Sequence, residues 1–215
     1  MTRIPYLDNE IGLSGEALQV SEYIKASRGK VIGVFALLLN SPKVAKLVAD
    51  LGAYLRFDSI LPQRLKELII LTTLSENSCQ FEWSYHQEYA LQADISVHTM
   101  EVIKFKKPLY KNGQPTPENT GLACGDGEII TYVRELLNNK RVSDKCFNQL
   151  RQAYSTEQIT EITALIGYYA MVACQLNAYE LPAAPGKPSL PEPELPKVRQ
   201  TLAEEMQKGM SEGVS

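Results

Sequence analysis

Two histidines and one tryptophan in 215 residues leave few groups for imidazole or indole chemistry. The four cysteines, Cys79, Cys124, Cys146 and Cys174, stand far apart and include no Cys-x-x-Cys pair. That spacing argues against a disulfide framework and, with so few imidazoles, against a zinc site; free thiols and no metal or cofactor are expected. No stretch alternates apolar and polar residues, so strand signal is close to absent. The chain has a net charge of −3 and no lysine or arginine run interleaved with aromatics. Nucleic acid is therefore not an expected partner. The longest apolar run, Val31 to Leu39, is too short for a bilayer crossing, which needs roughly 20 residues. The first thirteen residues lack a basic segment, an apolar segment and a small-residue cleavage site. A soluble, cytoplasmic protein without membrane association is expected.

What is present is enough for a core: 44% of residues are hydrophobic and 22% charged. The apolar spacing is helical almost throughout. Ser14 precedes a helix through Ala17, Val20 and Ile24 that ends near Gly29, and an apolar segment follows over 31–39. Ser41-Pro42 is a helix start, serine at the N-cap and proline in the first turn. That helix carries Val44, Leu47, Val48, Leu51 and Tyr54-Leu55. Pro62 opens the next, whose buried face is marked by Leu65, Leu68, Ile69 and Thr72. A break at 75–78 leads to a helix reaching about Ala93. Ser96 caps another through Val102-Ile103. Residues 106–125 read as one long irregular connection, a candidate lid or oligomer contact as well as a plain crossover. Asp126 and Ser143 start further helices, and Ser155 with Gln158 forms a capping box before the longest helix, Ile159 to about Tyr179.

The predicted fold is all-α, a helical domain over 1–180 followed by a different segment over 181–215. Residues 181–196 hold six of the chain's twelve prolines. They read as a stiff extended arm outside the core. Residues 197–210 fit a short amphipathic helix through Val198, Leu202 and Met206. An arm of this kind fits packing on a neighbouring subunit, and equally a mobile tail.

The candidate site lies at the break between the fourth and fifth helical patterns. Cys79, Glu82 and His86 follow at i, i+3 and i+7, so they share a helix face. Glu67, in the preceding helix, is within folding distance. Glu82 and His86 can share a proton, with Glu67 orienting the imidazole. Cys79 near a helix N-terminus beside an imidazole gains thiolate character, and Glu82 opposes this. Arg64 can hold a substrate carboxylate or form a surface ion pair. Trp83 packs or lines a pocket, and Tyr168, Tyr169 and Asn177 are candidates for the same cavity. Cys146 and Cys174 read as core, Cys124 as a loop thiol.

These residues resemble the carboxymuconolactone decarboxylase family, which includes the alkylhydroperoxidase D-like proteins. The likeness runs through LLLNSPKVAKLVADLGAYLRF, LPQRLKELIIL, CQFEWSYH, ALQADIS and ITALIGYYAMVACQLNAYELP. Its most specific part is Glu82-Trp83-Ser84-Tyr85-His86, preceded by Arg64 to Leu68. The resemblance implies an all-helical bundle assembling as a homo-oligomer, a trimer or hexamer. In the peroxidase branch the pattern is a glutamate, then Cys-x-x-Cys-x-x-x-His. Glu67, Cys79 and His86 match the glutamate, the first cysteine and the histidine, while Glu82 stands where the second cysteine would be. Three readings follow. One is a decarboxylase-like enzyme acting on a small organic acid or lactone through Glu82 and His86. The second is a peroxidase centred on Cys79, and the third a non-catalytic helical oligomer that binds a small molecule.

Overall fold

A computed structural model describes residues 2–192. The expected amphipathic helix over 197–210 lies outside them. Among the described residues, ten α-helices account for almost all the regular structure: α1 (Gly15–Arg28), α2 (Val34–Leu38), α3 (Pro42–Ala53), α4 (Gln63–Glu76), α5 (Gln80–Gln92), α6 (Val97–Lys104), α7 (Pro117–Thr120), α8 (Asp126–Arg134), α9 (Asp144–Ala153) and α10 (Thr156–Ala178). The all-α architecture expected from the apolar spacing is the one present. Two π-helical turns extend α3 over Tyr54–Asp58 and α8 over Glu135–Asn139.

The start signals act as their chemistry dictates. Ser96, Ser143 and Ser155 each accept a hydrogen bond from the backbone three residues on. Ser155 and Gln158 form the reciprocal capping box. Asp126 differs from the expectation. Gly125 is the N-cap of α8, and Asp126 is a buried residue of its first turn.

α4 is the central element and packs against α5, α8 and α10. Every residue from Leu65 to Ser75 is buried, Lys66 and Glu67 included. The buried face expected from Leu65, Leu68, Ile69 and Thr72 is therefore the whole circumference. α10 is long and apolar enough to cross a bilayer, with a mean hydropathy of 1.3 over its best window, but it is a core helix against α4. α3 turns its small residues inward, Ala45, Ala49 and Gly52, and its larger ones, Val44, Leu47 and Leu51, outward. A Cβ at Gly52 would overlap the Tyr168 hydroxyl of α10, so only glycine permits that approach.

Two parts of the chain depart from the sequence reading. Within 106–125, Asn112 and Gly113 take positive φ and close a two-residue antiparallel hairpin, β1 (Tyr110–Lys111) with β2 (Gln114–Pro115), and α7 follows. The flanking residues are not β-branched, which hid the hairpin. The first half of the proline-rich segment is also no free arm. Gln80 bonds both backbone groups of the strap at Leu190, Ser84 accepts from the Ala184 amide, and Gln87 donates to the Pro188 carbonyl. Leu190 is part of the hydrophobic core. Polar side chains on the outer face of α5 thus fix the extended backbone that proline cannot tie to itself.

Candidate active site

Three of the four expected site residues meet at the α4–α5 junction. Glu67 is fully buried and accepts from His86 Nδ1 at 2.7 Å, while Gln63 donates to its other oxygen at 2.8 Å. His86 Nε2 lies 3.3 Å from the Tyr169 hydroxyl and 3.6 Å from Glu82 Oε2. Burial alone would lower the imidazole pKa, but hydrogen bonding and charge from Glu67 and Glu82 outweigh it and raise the pKa above 6.5. Tyr169 is held neutral by its burial, which pushes the phenol well above its ordinary value. The centre is thus a histidine whose charged form is favoured, set between two carboxyl groups, one sealed and one facing out. Glu82 is the outward one, with 18% of its side chain exposed.

Glu82 and His86 open into a cavity of about 620 Å³. Its walls come from the end of α1 (Arg28), the loop after it (Lys30, Ile32), the π turn (Arg56, Phe57) and α5 (Phe81, Tyr85, Tyr89), with Lys187 of the strap at the rim. At Gly33, φ is +62°, and a Cβ there would lie 2.6 Å from the Phe81 ring and 3.2 Å from Glu82 Oε1. Glycine therefore lets the loop pass close to the Glu82 carboxyl group. Other hollows exist, one of about 580 Å³ between α8, α9 and α10 and one of about 960 Å³ beside the strap, but neither wall carries a histidine or cysteine.

The cationic groups of the cavity differ in their commitments. Arg28 donates to the Ala49 carbonyl at 3.0 Å and lies over Phe35. Lys187 pairs with Glu88 at 2.7 Å and sits over the Tyr85 ring. The Arg56 guanidinium has no hydrogen bond or ion pair among the described residues, and neither has the ammonium of Lys30, but Lys30 is exposed, 5.9 Å from the Tyr85 ring centroid, whereas Arg56 is half-buried. It rests between the Phe57 and Tyr89 rings, about 5.5 Å from each centroid. Burial lowers its pKa, yet Tyr169, Glu67 and Glu82 more than offset this, and it stays charged.

The remaining expected residues fall elsewhere. Arg64 does not reach the cavity. It makes a bidentate ion pair with the buried Asp126 at 2.6 and 2.8 Å, joining α4 to α8. Trp83 is fully buried on the inner side of α5, does not line the cavity, and its Nε1 has no partner among the described residues. Tyr168 borders a small recess next to the cavity, with Arg28, Arg56 and Glu82, and donates to the Val48 carbonyl at 3.2 Å. Asn177 bonds the Asn77 carbonyl instead. Cys79 is the N-cap of α5 and fully buried, away from the cavity walls. Burial pushes its thiol up to about 12, Glu82 adds to the rise, and the Glu82 backbone amide opposes it without prevailing. The expected thiolate character is therefore reversed. Cys146 is buried, but Cys174 is exposed and not core. Among the described residues, no three His, Cys, Asp or Glu side chains gather as a metal site.

Arg56 is the cavity residue that sequence reasoning passed over. Its only signal was a charge in the run Tyr54-Leu55-Arg56-Phe57, where the helical spacing of α3 breaks down.

Residues 42–103 match the carboxymuconolactone decarboxylase family model. That stretch, which holds Glu67, Cys79, Glu82 and His86, is what the chain shares with the family. Solved structures share the fold. One is the alkylhydroperoxidase AhpD core of an uncharacterized peroxidase-related protein from Ralstonia eutropha JMP134, at 15% identity and a TM-score of 0.66, covering 86% of this chain and 93% of that one. An uncharacterized peroxidase-related protein from Silicibacter sp. TM1040 has 14% identity and a TM-score of 0.61, covering 79% and 85%. A protein of unknown function from Agrobacterium tumefaciens, assigned provisionally to antioxidant defence as AhpD, has 19% identity and a TM-score of 0.55, covering 68% and 94%. No curated protein sequence matches the chain.

Proposed function

We propose that this protein is a carboxymuconolactone decarboxylase-like enzyme, acting on a small anionic organic acid or lactone by acid–base chemistry. The observation that carries the reading is the shared cavity wall. An uncommitted cation, Arg56, faces the Glu82–His86 proton pair, while the Cys79 thiol is sealed behind α5. Arg56 supplies the charge that binds the anion and stabilises a dienolate oxygen. Loss of carbon dioxide leaves the electron pair of the broken carbon–carbon bond on that dienolate. The carbon then takes a proton from Glu82 or from His86 Nε2, and solvent returns it. Glu67 fixes the imidazole and its tautomer.

The test is turnover of a carboxylated unsaturated lactone, followed by loss of its absorbance. Glu82→Gln should lower kcat by roughly a hundredfold or more, the contribution of one positioned proton donor. Cys79→Ala should leave most of the rate. A Cys79→Ala protein that loses turnover while Glu82→Gln retains it would sink the reading.

The structural neighbours described as peroxidase-related support a second reading, peroxide reduction at Cys79. It requires hydroperoxide consumption that Cys79→Ala abolishes. The third, a non-catalytic oligomer binding a small molecule, requires that neither substrate class be converted.

We also propose the homo-oligomer, a trimer or hexamer. Val44, Leu47, Leu51, Tyr54, Phe57 and Ile60 form an exposed apolar stripe along α3 and past its π turn. Contiguous apolar surface of this kind marks interaction faces. Sedimentation equilibrium should give a multiple of the monomer mass, and Leu47→Glu should yield monomers. A monomeric native protein would end the proposal.

A further inference from the structure

Lys66 and Glu161 are two buried charged residues that the acid–base reading leaves without a task. Each is 6% exposed. Both act on the π turn that carries Arg56. Lys66 Nζ donates to the Arg56 backbone carbonyl at 2.5 Å. Glu161, from α10, accepts from the Tyr54 hydroxyl at 2.5 Å, the Ser59 hydroxyl at 2.6 Å and the Ile60 amide at 3.1 Å. The turn itself is closed by the Ser59 amide on the Tyr54 carbonyl at 2.9 Å. A π turn inserts one residue into the helical ladder and is rarely stable unaided, so it persists where its surroundings hold it. Here a cation holds a carbonyl in its middle, and an anion gathers donors from its start and its exit. Lys66 and Glu67 are also neighbours on α4. One reaches the Arg56 wall of the cavity and the other the His86 wall.

We propose that Lys66 and Glu161 are positioning residues that clamp the π turn so that the Arg56 guanidinium faces the cavity, making the site selective for anionic ligands. The inference rests on the reading of Arg56 as the anion-holding group. It adds that this selectivity is set by two side chains that never touch the ligand.

The test uses benzoate and its neutral isostere benzamide as probes, with dissociation constants from isothermal titration calorimetry on the full chain. Arg56→Gln should weaken benzoate by about tenfold or more, the value of one charge-assisted hydrogen bond, and leave benzamide unchanged. Lys66→Met should weaken benzoate by about threefold or more, a fraction of that bond, again without affecting benzamide. Amide hydrogen exchange over 54–60 should accelerate in the same variant. Ser59→Ala, at a half-buried position, removes one clamp bond without emptying the core and should act in the same direction. It decides the matter if Lys66→Met does not fold. If wild type does not bind benzoate, or Arg56→Gln binds it as wild type does, the anion-site reading fails and the clamp with it. If Arg56→Gln loses benzoate while Lys66→Met and Ser59→Ala keep it, Arg56 stands and the clamp is overturned. Equal weakening of both probes would also overturn it, as the mark of a merely structural role.

Discussion

Glu67→Ala should destabilise the fold by about 3–5 kcal/mol, the cost of stripping one partner from a buried pair. The His86 Nδ1–H, bonded to Glu67 at 2.7 Å and 1% exposed, would be left buried and unpaired, and Gln63 would lose its acceptor. Urea unfolding monitored by far-ultraviolet circular dichroism would measure the loss. The pH dependence carries the sign. The folded-state pKa of His86 is raised above its ordinary 6.5 because Glu67 and Glu82 outweigh burial. Its protonation therefore contributes stability that is fully present below about pH 6.5 and is lost as pH rises through the folded value. The wild-type urea midpoint should fall over that window. In Glu67→Gln, which keeps the shape and removes the charge, the fall should shrink or shift to lower pH. A variant with the wild-type slope would mean that Glu67 does not set the His86 pKa, and a wild type without the fall would mean that His86 is neutral in the folded protein.

Cys79 should be almost inert in the native protein. Its thiol is pushed from 9.0 up to about 12, chiefly by burial and then by Glu82. Three units leave about a thousandfold less thiolate near pH 8 than an unperturbed thiol would have, and only the thiolate is a strong nucleophile. Iodoacetamide at that pH should label the exposed Cys124 and Cys174 and spare Cys79 and Cys146 until the protein is unfolded. Peptide mass spectrometry reads the outcome site by site. The same experiment with one equivalent of hydroperoxide separates the two enzymatic readings. Rapid sulfenic acid or disulfide at Cys79 would bring the peroxidase forward. An untouched Cys79 beside an oxidised Cys124 or Cys174 would leave Glu82 and His86 as the chemistry.

The helices and the heart of the site were legible because both are encoded locally. Caps act over three residues, and Ser155 with Gln158 needs no tertiary information. Glu82 and His86 share a face because they lie one turn apart on one helix. Glu67 could be placed beside them because the α4–α5 connection is short. Arg64 and Arg56 were not legible in the same way. Each is an arginine close to a helix end, and nothing nearby in the chain says which one meets an anion inside the protein and which one lines the cavity. Asp126 decides it, 62 positions away from Arg64. Cys79 misled for a related reason. A helix N-terminus favours a thiolate, but desolvation opposes it, and desolvation is set by everything packed around the residue. On α3 the apolar spacing was right and the face was not. The larger side chains point outward because Ala45, Ala49 and Gly52 are what fit against the rest of the bundle.

The sequence by itself determined the all-α class, the order and starts of most of the helices, and the Glu67–Glu82–His86 grouping, because these depend on spacings of a few residues. The tertiary structure alone decided burial and long-range pairing. It gave α4 a core on every side, withdrew Arg64 to Asp126 and sealed the Cys79 thiol. It also bound residues 184–190 to α5 and turned Arg56 into the cavity on a π turn held by Lys66 and Glu161. Charge, solvation and reactivity depend on surroundings contributed by distant parts of the chain, and local spacing does not specify them.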